Sequence, residues 1–201
     1  WVRLKEGKMS SRSGNVVLGE WVLDSLKQKI YDILHNNKSK YSKKEQDTIA
    51  EAAAVAAVKY SFLRVGTTQE IAFDIDESIS FEGDSGPYLL YTYTRCRSVL
   101  RKAGIGSIGR IGSIGSISLN TEERSVLRLI QWFPDVVAEA AANLAPSGLC
   151  KYLFELAQTF NLFYAKHTIL GEPHRLAHTA ATAQVLKNGL HLLGIQTVER
   201  M

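Results

Sequence analysis

The chain has 201 residues, of which 45% are hydrophobic and 22% charged, a balance that excludes a disordered protein. Its formal net charge of +4 is compatible with an RNA partner but excludes a protein that binds by dense positive charge alone. Cys96 and Cys150 form neither a CxxC motif nor a disulfide framework, so we expect a reducing, cytoplasmic compartment. No apolar run approaches the roughly 20 residues that cross a bilayer, so no membrane partner is expected. Because the chain begins at Trp1 within a polar motif, we expect it to be a piece of a longer polypeptide.

The first elements are a short strand, a basic loop and two helices. Val2 and Leu4 predict the strand, and residues 8–15 form a polar, basic loop that offers cations and hydroxyl groups to a phosphate. On chemistry alone, such a loop is more often simply solvated. Apolar residues spaced three to four apart predict a helix from 19 to about 34. Ser42 and Glu45 then form a capping box that opens a second helix, which ends near residue 63.

An alternating segment over residues 69–75 predicts a short strand or extended segment. Asp74 and Asp76 would lie together on its outward face, where they could suggest a metal site. No histidine or cysteine lies nearby in the sequence, so a solvated face is the better interpretation.

The segment from Gly83 to Pro87 predicts a turn followed by a helix from 87 to about 102. Tyr88, Tyr91 and Arg95 would share one face of that helix. Aromatic rings beside a guanidinium group can hold unstacked RNA bases, but they can also be half-buried core residues. The segment alone favours the core interpretation.

The remainder of the chain predicts a flexible Gly/Ser/Ile linker and four helices. The linker covers residues 104–118, where glycine is too dense for a stable helix or strand. The helices are expected at about 121–132, 135–143, 149–167 and 175–193, with Asn120 capping the first and Pro134 separating it from the second. The chain is therefore expected to be mainly helical.

We find no self-sufficient catalytic constellation in the sequence. Neither a nucleophile elbow of the form G-x-S-x-G nor a phosphate-binding P-loop occurs. His174 and His178 could share a helix face, but no glutamate stands at the metalloprotease offset and no cysteine is near, so no metal site is expected.

Several segments of the chain carry family motifs. Residues 8–17, KMSSRSGNVV, resemble the KMSKS loop of arginyl-tRNA synthetases, a family of class I aminoacyl-tRNA synthetases. Residues 86–91, GPYLLY, followed by Arg95, resemble the first helix of its DALR-type anticodon-binding domain. Residues 146–157, PSGLCKYLFELA, and 183–190, AQVLKNGL, resemble the C-terminal half of that domain.

The resemblance implies a particular fold and division into domains. Residues 1–80 would be the helical end of a class I synthetase catalytic domain, carrying the KMSKS-like loop. Residues 81–201 would form an orthogonal helix bundle of the anticodon-binding type, interrupted by the linker. The protein is expected to be a monomer.

The resemblance also implies a reaction, in which arginine is joined to tRNA(Arg) with ATP and Mg²⁺. Lys8, Ser10 and Arg12 would face the ATP phosphates, and mobile cations there would stabilise the transition state. Ser11 stands where the family motif usually has its second lysine, so Arg12 is a possible substitute. The HIGH signature and the arginine pocket belong to the missing N-terminal part, so this piece is expected to be inactive alone.

The residues that the resemblance assigns to RNA are Tyr88, Tyr91, Tyr164 and the terminal Met201, which match positions packed around splayed anticodon bases. Arg95 would contact the RNA backbone or a base. Two alternatives stay open: a stand-alone tRNA-binding module without catalysis, and a structural helix bundle with no RNA role.

Overall fold

The computed structural model describes residues 2–4, 18–36, 41–105 and 118–201. Two short strands pair in parallel, with Val2 opposite Ile71. The remaining regular structure in these ranges is helical, which confirms the mainly helical fold class. None of the described helices is long and apolar enough to cross a membrane. The elements are β1 (Val2–Leu4), α1 (Gly19–Asn36), α2 (Lys43–Leu63), β2 (Ile71–Phe73), α3 (Ile75–Ser78), α4 (Gly86–Lys102), α5 (Thr121–Ala142), α6 (Pro146–Lys166) and α7 (Pro173–Leu192).

Two sequence-based predictions lie outside the described residues. The KMSKS-like loop, with Lys8, Ser10 and Arg12, falls within residues 5–17. Most of the Gly/Ser/Ile linker falls within residues 106–117. The roles assigned to these segments stay predictions.

Helix α2 begins at the capping box that its sequence predicts. The backbone nitrogen of Ser42 donates to Glu45 Oε2 at 3.0 Å, and the side chain of Ser42 accepts from the backbone nitrogen of Glu45. Asn120 and Glu123 make the same reciprocal pair at the start of α5. Each box pairs two backbone donors that a helix start would otherwise leave without partners.

The predicted break at Pro134 is wrong, because α5 runs unbroken from Thr121 to Ala142. Before the proline, Val126 and Leu129 are buried against α6 and α7; after it, Val136 and Val137 pack against the same core. Proline removes one backbone hydrogen bond and crowds the preceding turn, at a cost of about 3 kcal/mol in a helix interior. Packing on both sides of Pro134 outweighs this local preference.

Replacing the exposed Pro134 with alanine is expected to raise the free energy of unfolding by about 1–3 kcal/mol. Alanine restores the missing hydrogen bond without removing a buried side chain. Urea unfolding of the two proteins measures the difference. Gln131→Ala, at another exposed position of α5, is the matched control and should change stability little. Equal stability of the two variants would contradict the prediction.

The strand predicted within residues 69–75 is present but shorter, and Ile75 is helical. Strand β2 ends at Phe73, and Asp74 caps the one-turn helix α3, with its Oδ1 accepting from the backbone nitrogen of Glu77 at 3.0 Å. Asp76 lies in that helix and pairs with Lys29. The two aspartates therefore do not share a strand face, because a capping aspartate ends the extended segment.

The described residues form two hydrophobic clusters, and α2 takes part in both. In one cluster, α1 packs against the alanine-rich face of α2, which includes Ala53 and Ala57. The other cluster is formed by the four helices α4, α5, α6 and α7, together with Ala56 and Tyr60 of α2. Met201 packs against both clusters. The division of the chain at residue 80 stays a prediction.

Helix α4 starts in close contact with α2. A Cβ atom at Gly86 would lie 2.2 Å from the carbonyl oxygen of Ala56, so only glycine fits there. Ser85, which the sequence analysis passed over, caps the helix by accepting from the backbone nitrogen of Tyr88 at 3.1 Å. Together these contacts fix the helix that carries the predicted RNA-binding residues.

Candidate nucleic-acid interface

A groove of about 370 Å³ contains four of the five residues predicted to bind RNA: Tyr91, Arg95, Tyr164 and Met201. We call it the tyrosine–arginine groove. The residues from α4 recur at intervals of three and four, which places them on one helix face. The full lining is Tyr41, Tyr91, Thr94, Arg95, Ser98, Val99, Arg101, Lys102, Tyr164, Arg200 and Met201.

Arg95 is held between two tyrosine rings. Its Cζ lies 4.8 Å from the centroid of the Tyr91 ring and 4.9 Å from that of the Tyr164 ring. Both distances are within the range of a cation–π interaction. Nη2 also donates to the hydroxyl of Tyr91 at 3.2 Å. The groove thus presents a fixed cation and two aromatic rings, of which Tyr164 is 39% exposed.

Asn161 of α6, which was not among the predicted site residues, completes the support of Arg95. Its Oδ1 accepts from Nη1 of Arg95, while its Nδ2 donates to the hydroxyls of Tyr88 and Thr92, each at 2.9 Å. A polar residue inside the apolar run of α6 is the sequence signal that could have drawn attention to it. Its partners, however, come from another helix and are not apparent from the sequence.

Tyr88 does not line the groove. Its side chain is only 9% exposed, and its ring packs edge-on against Phe154 with the centroids 5.6 Å apart. In this arrangement Tyr88 supports Asn161, which in turn holds Arg95. Direct contact between Tyr88 and a base stays a prediction.

The groove carries positive charge without an acidic side chain among its lining residues. Arg95, Arg101, Lys102 and Arg200 all contribute to it. A larger cavity of about 600 Å³, between α2 and the tail, is lined by two acidic and two basic residues, so its charges balance. Charge therefore favours the smaller groove as the place for a polyanion.

The tail that follows α7 is fixed against α4 by Glu199. Its carboxylate accepts from Nε of Arg97 at 3.0 Å and from the hydroxyl of Tyr93 at 3.1 Å, and its backbone carbonyl accepts from Arg101 at 3.0 Å. Burial raises the pKa of Glu199, but the hydrogen bond and charge of Arg97 outweigh it, so the net pKa is below the usual value. The ionised Glu199 thereby positions Arg200 and Met201 in the groove.

His174 and His178 of α7 serve a structural contact. Their rings meet edge to face with centroids 6.1 Å apart, and Nε2 of His174 lies 3.3 Å from the carboxylate of Glu123. Within the described part of the chain, no group of three or more His, Cys, Asp or Glu residues could hold a metal ion.

Residues 89–201 match the family model of the DALR anticodon binding domain, and the chain belongs to that family. The sequence is also similar to whole enzymes. It is 36% identical over 205 residues to the arginine–tRNA ligase of Fusobacterium nucleatum, covering 100% of this chain and 36% of the relative. It is 41% identical over 204 residues to that of Streptococcus pneumoniae serotype 19F, covering 98% of this chain and 35% of the relative. The chain thus spans about a third of the length of these relatives.

Solved structures agree with the sequence comparisons. Arginyl-tRNA synthetase from Thermus thermophilus matches with a TM-score of 0.85 and 28% identity, over 100% of this chain and 34% of that one. The synthetase from Plasmodium falciparum matches with a TM-score of 0.78 over 92% of this chain and 34% of that one; at 24% identity this likeness concerns the fold alone. The resemblance inferred from the motifs is confirmed.

Proposed function

We propose that the chain is the C-terminal part of an arginine–tRNA ligase and that residues 81–201 bind the anticodon stem and loop of tRNA(Arg). The observation that carries the proposal is the tyrosine–arginine groove, where two tyrosine rings, a fixed arginine and further cations meet. The family match over residues 89–201 and the arginine–tRNA ligase relatives support the proposal.

The chemistry of the groove suits a single-stranded RNA loop. Unpaired bases can stack on Tyr91 and Tyr164, because every base has an aromatic face. Arg101, Lys102 and Arg200 can meet the phosphates, an attraction that weakens as salt rises. Arg95, fixed between the rings, can donate to a base edge or a phosphate without losing much side-chain entropy.

The same proposal assigns residues 8–15 to ATP. In the complete enzyme, Lys8, Ser10 and Arg12 would approach the ATP phosphates, and Mg²⁺ would supply further charge neutralisation there. Arginine would bind in the part of the enzyme that precedes this chain. We propose a cytoplasmic, monomeric enzyme, and we expect the chain alone to bind tRNA without charging it.

Replacing Tyr91 or Tyr164 with alanine is expected to weaken binding of tRNA(Arg) about 5- to 150-fold, because each removes a stacking surface worth about 1–3 kcal/mol. Filter binding with the full chain measures the dissociation constants, and a non-cognate tRNA tests specificity. Trp132→Ala is the matched control, since Trp132 is 48% exposed but lies outside the groove.

The result that would contradict this proposal is unchanged affinity in both tyrosine variants, or an equal loss in Trp132→Ala. Absence of tRNA binding by the unmodified chain would favour a structural bundle with no RNA role. A stand-alone binding module shares the expected affinities, but it gives no reason for an ATP-facing loop at residues 8–15.

A further inference from the structure

One residue of the tyrosine–arginine groove comes from outside the segment that matches the anticodon-binding family. Tyr41 lies just before α2, whereas the family match covers residues 89–201. It nevertheless lines the groove together with Tyr91 and Tyr164. The groove therefore has walls from both halves of the chain.

The position of Tyr41 is fixed by the start of α2. Its backbone carbonyl accepts from Nε2 of Gln46 at 3.0 Å, and the next residue, Ser42, belongs to the capping box of the helix. The half-buried ring packs against the cluster formed by α1 and α2. The residue that precedes α2 thus contributes to the lining of the groove, as residues of α4 and α6 do.

Arg200 lines the same groove as Tyr41. Nη1 of Arg200 lies 4.0 Å from Oε1 of Glu45, the same glutamate that accepts from the backbone nitrogen of Ser42. This separation is too great for a hydrogen bond, and the Arg200 side chain is 58% exposed. Exposed ion pairs of this kind contribute little, so Arg200 is available to a ligand.

We propose that Tyr41 and Arg200 form a second nucleotide position in the groove, where an unpaired RNA base stacks on Tyr41 and its phosphate meets Arg200. The inference rests on the proposed RNA role of the groove. It combines an aromatic and a cationic side chain of the same groove at the edge next to α2. A bound strand then contacts both halves of the chain at once.

Tyr41→Leu tests the proposal, because leucine keeps an apolar contact with the α1–α2 cluster but offers no aromatic face. We expect it to weaken binding of a synthetic tRNA(Arg) anticodon stem-loop about 5- to 100-fold, measured by fluorescence anisotropy with the full chain. Tyr41→Phe keeps the ring and should bind within about twofold of the unmodified chain, since stacking does not need the hydroxyl.

Tyr31→Ala is the matched control. Tyr31 is also half-buried against the α1–α2 cluster, but it does not line the groove. Loss of the Tyr31 ring should lower thermal stability without changing the affinity for the stem-loop. A direct measurement is photo-crosslinking of a 5-iodouridine-substituted stem-loop, followed by mass spectrometry, which should identify a crosslink at residue 41.

Two results would overturn the inference: Tyr41→Leu binding as tightly as the unmodified chain, or Tyr31→Ala losing as much affinity as Tyr41→Leu. These results differ from a failure of the proposed function. If Tyr91→Ala weakens binding and Tyr41→Leu does not, only the second nucleotide position is wrong. If the unmodified chain does not bind the stem-loop, both proposals fall.

Discussion

Gly86→Ala is expected to lower the free energy of unfolding by about 3 kcal/mol, among the largest effects of a single methyl group in this chain. The added Cβ would lie 2.2 Å from the carbonyl oxygen of Ala56 and 2.5 Å from its carbonyl carbon. Both atoms belong to the backbone of α2, so no change of rotamer can relieve the overlap. The start of α4 must therefore move away from α2. Urea unfolding, followed by circular dichroism, measures the loss.

Gly148→Ala is the control for this substitution. Gly148 lies in the first turn of α6, and a Cβ there would have no atom within 4 Å. Alanine is favoured over glycine in a helix by about 1 kcal/mol, so this variant should be as stable as the unmodified chain or more so. Equal stability of the two alanine variants would contradict the close contact of α2 and α4.

The Gly86 contact also has a functional consequence. Helix α4 carries Tyr91 and Arg95, while the residue before the α2 capping box is Tyr41. A shift of α4 away from α2 changes the spacing between these parts of the groove. We therefore expect Gly86→Ala to weaken binding of the anticodon stem-loop even at temperatures where the variant stays folded, whereas Gly148→Ala should not.

The sequence predicted those helical features that depend on residues close together in the chain. The capping boxes at Ser42 and Asn120 begin helices as expected, since both partners lie three residues apart. The shared face of Tyr91 and Arg95 follows from helical spacing alone, and Tyr91 and Arg95 do form a cation–π contact.

The sequence did not predict features that depend on contacts between residues far apart in the chain. Pro134 does not end α5, because both sides of the proline pack against the same core. Helical spacing places Tyr88, Tyr91 and Arg95 on one face, but it does not reveal that Phe154 and Asn161 of α6 contact Tyr88 and bury it. Tyr41 was passed over because it lies far in sequence from the other residues of the groove. Only tertiary structure reveals these contacts.

Glu123→Ala is expected to lower the free energy of unfolding by about 3 kcal/mol. Glu123 is 1% exposed, yet it carries charge-assisted bonds between α5 and α7. Oε2 accepts from the backbone nitrogen of Asn120 at 2.9 Å, and Oε1 accepts from Nε of Arg175 at 2.8 Å. Alanine would leave the backbone nitrogen of Asn120 without its acceptor and the half-buried side chain of Arg175 without its carboxylate, which is costly.

The matched control is Glu45→Ala, which removes the glutamate of the other capping box. Glu45 lies at the surface, and its ion-pair partner Arg200, 4.0 Å away, is also exposed. Water can therefore replace the interactions of the carboxylate that the substitution removes. We expect a much smaller loss of stability there, measured by urea unfolding at pH 7. A loss as large as that of Glu123→Ala would show that the capping box, rather than the buried pair with Arg175, accounts for the effect.

Comparing the stability of Glu123→Gln with that of the unmodified chain as a function of pH separates the contribution of the Glu123 charge from that of its shape. Burial raises the pKa of Glu123, but the Asn120 backbone bond, the Arg175 hydrogen bond and the Arg175 charge lower it more, so the folded-state pKa lies below 4.5. The carboxylate therefore contributes stability above pH 4.5, and this contribution is lost as the pH falls through the folded-state pKa. Glutamine does not titrate. The difference in free energy of unfolding between the unmodified chain and Glu123→Gln should consequently be largest near neutral pH and shrink below pH 4.5. A difference that does not depend on pH would mean that the negative charge beside Arg175 does not stabilise the fold.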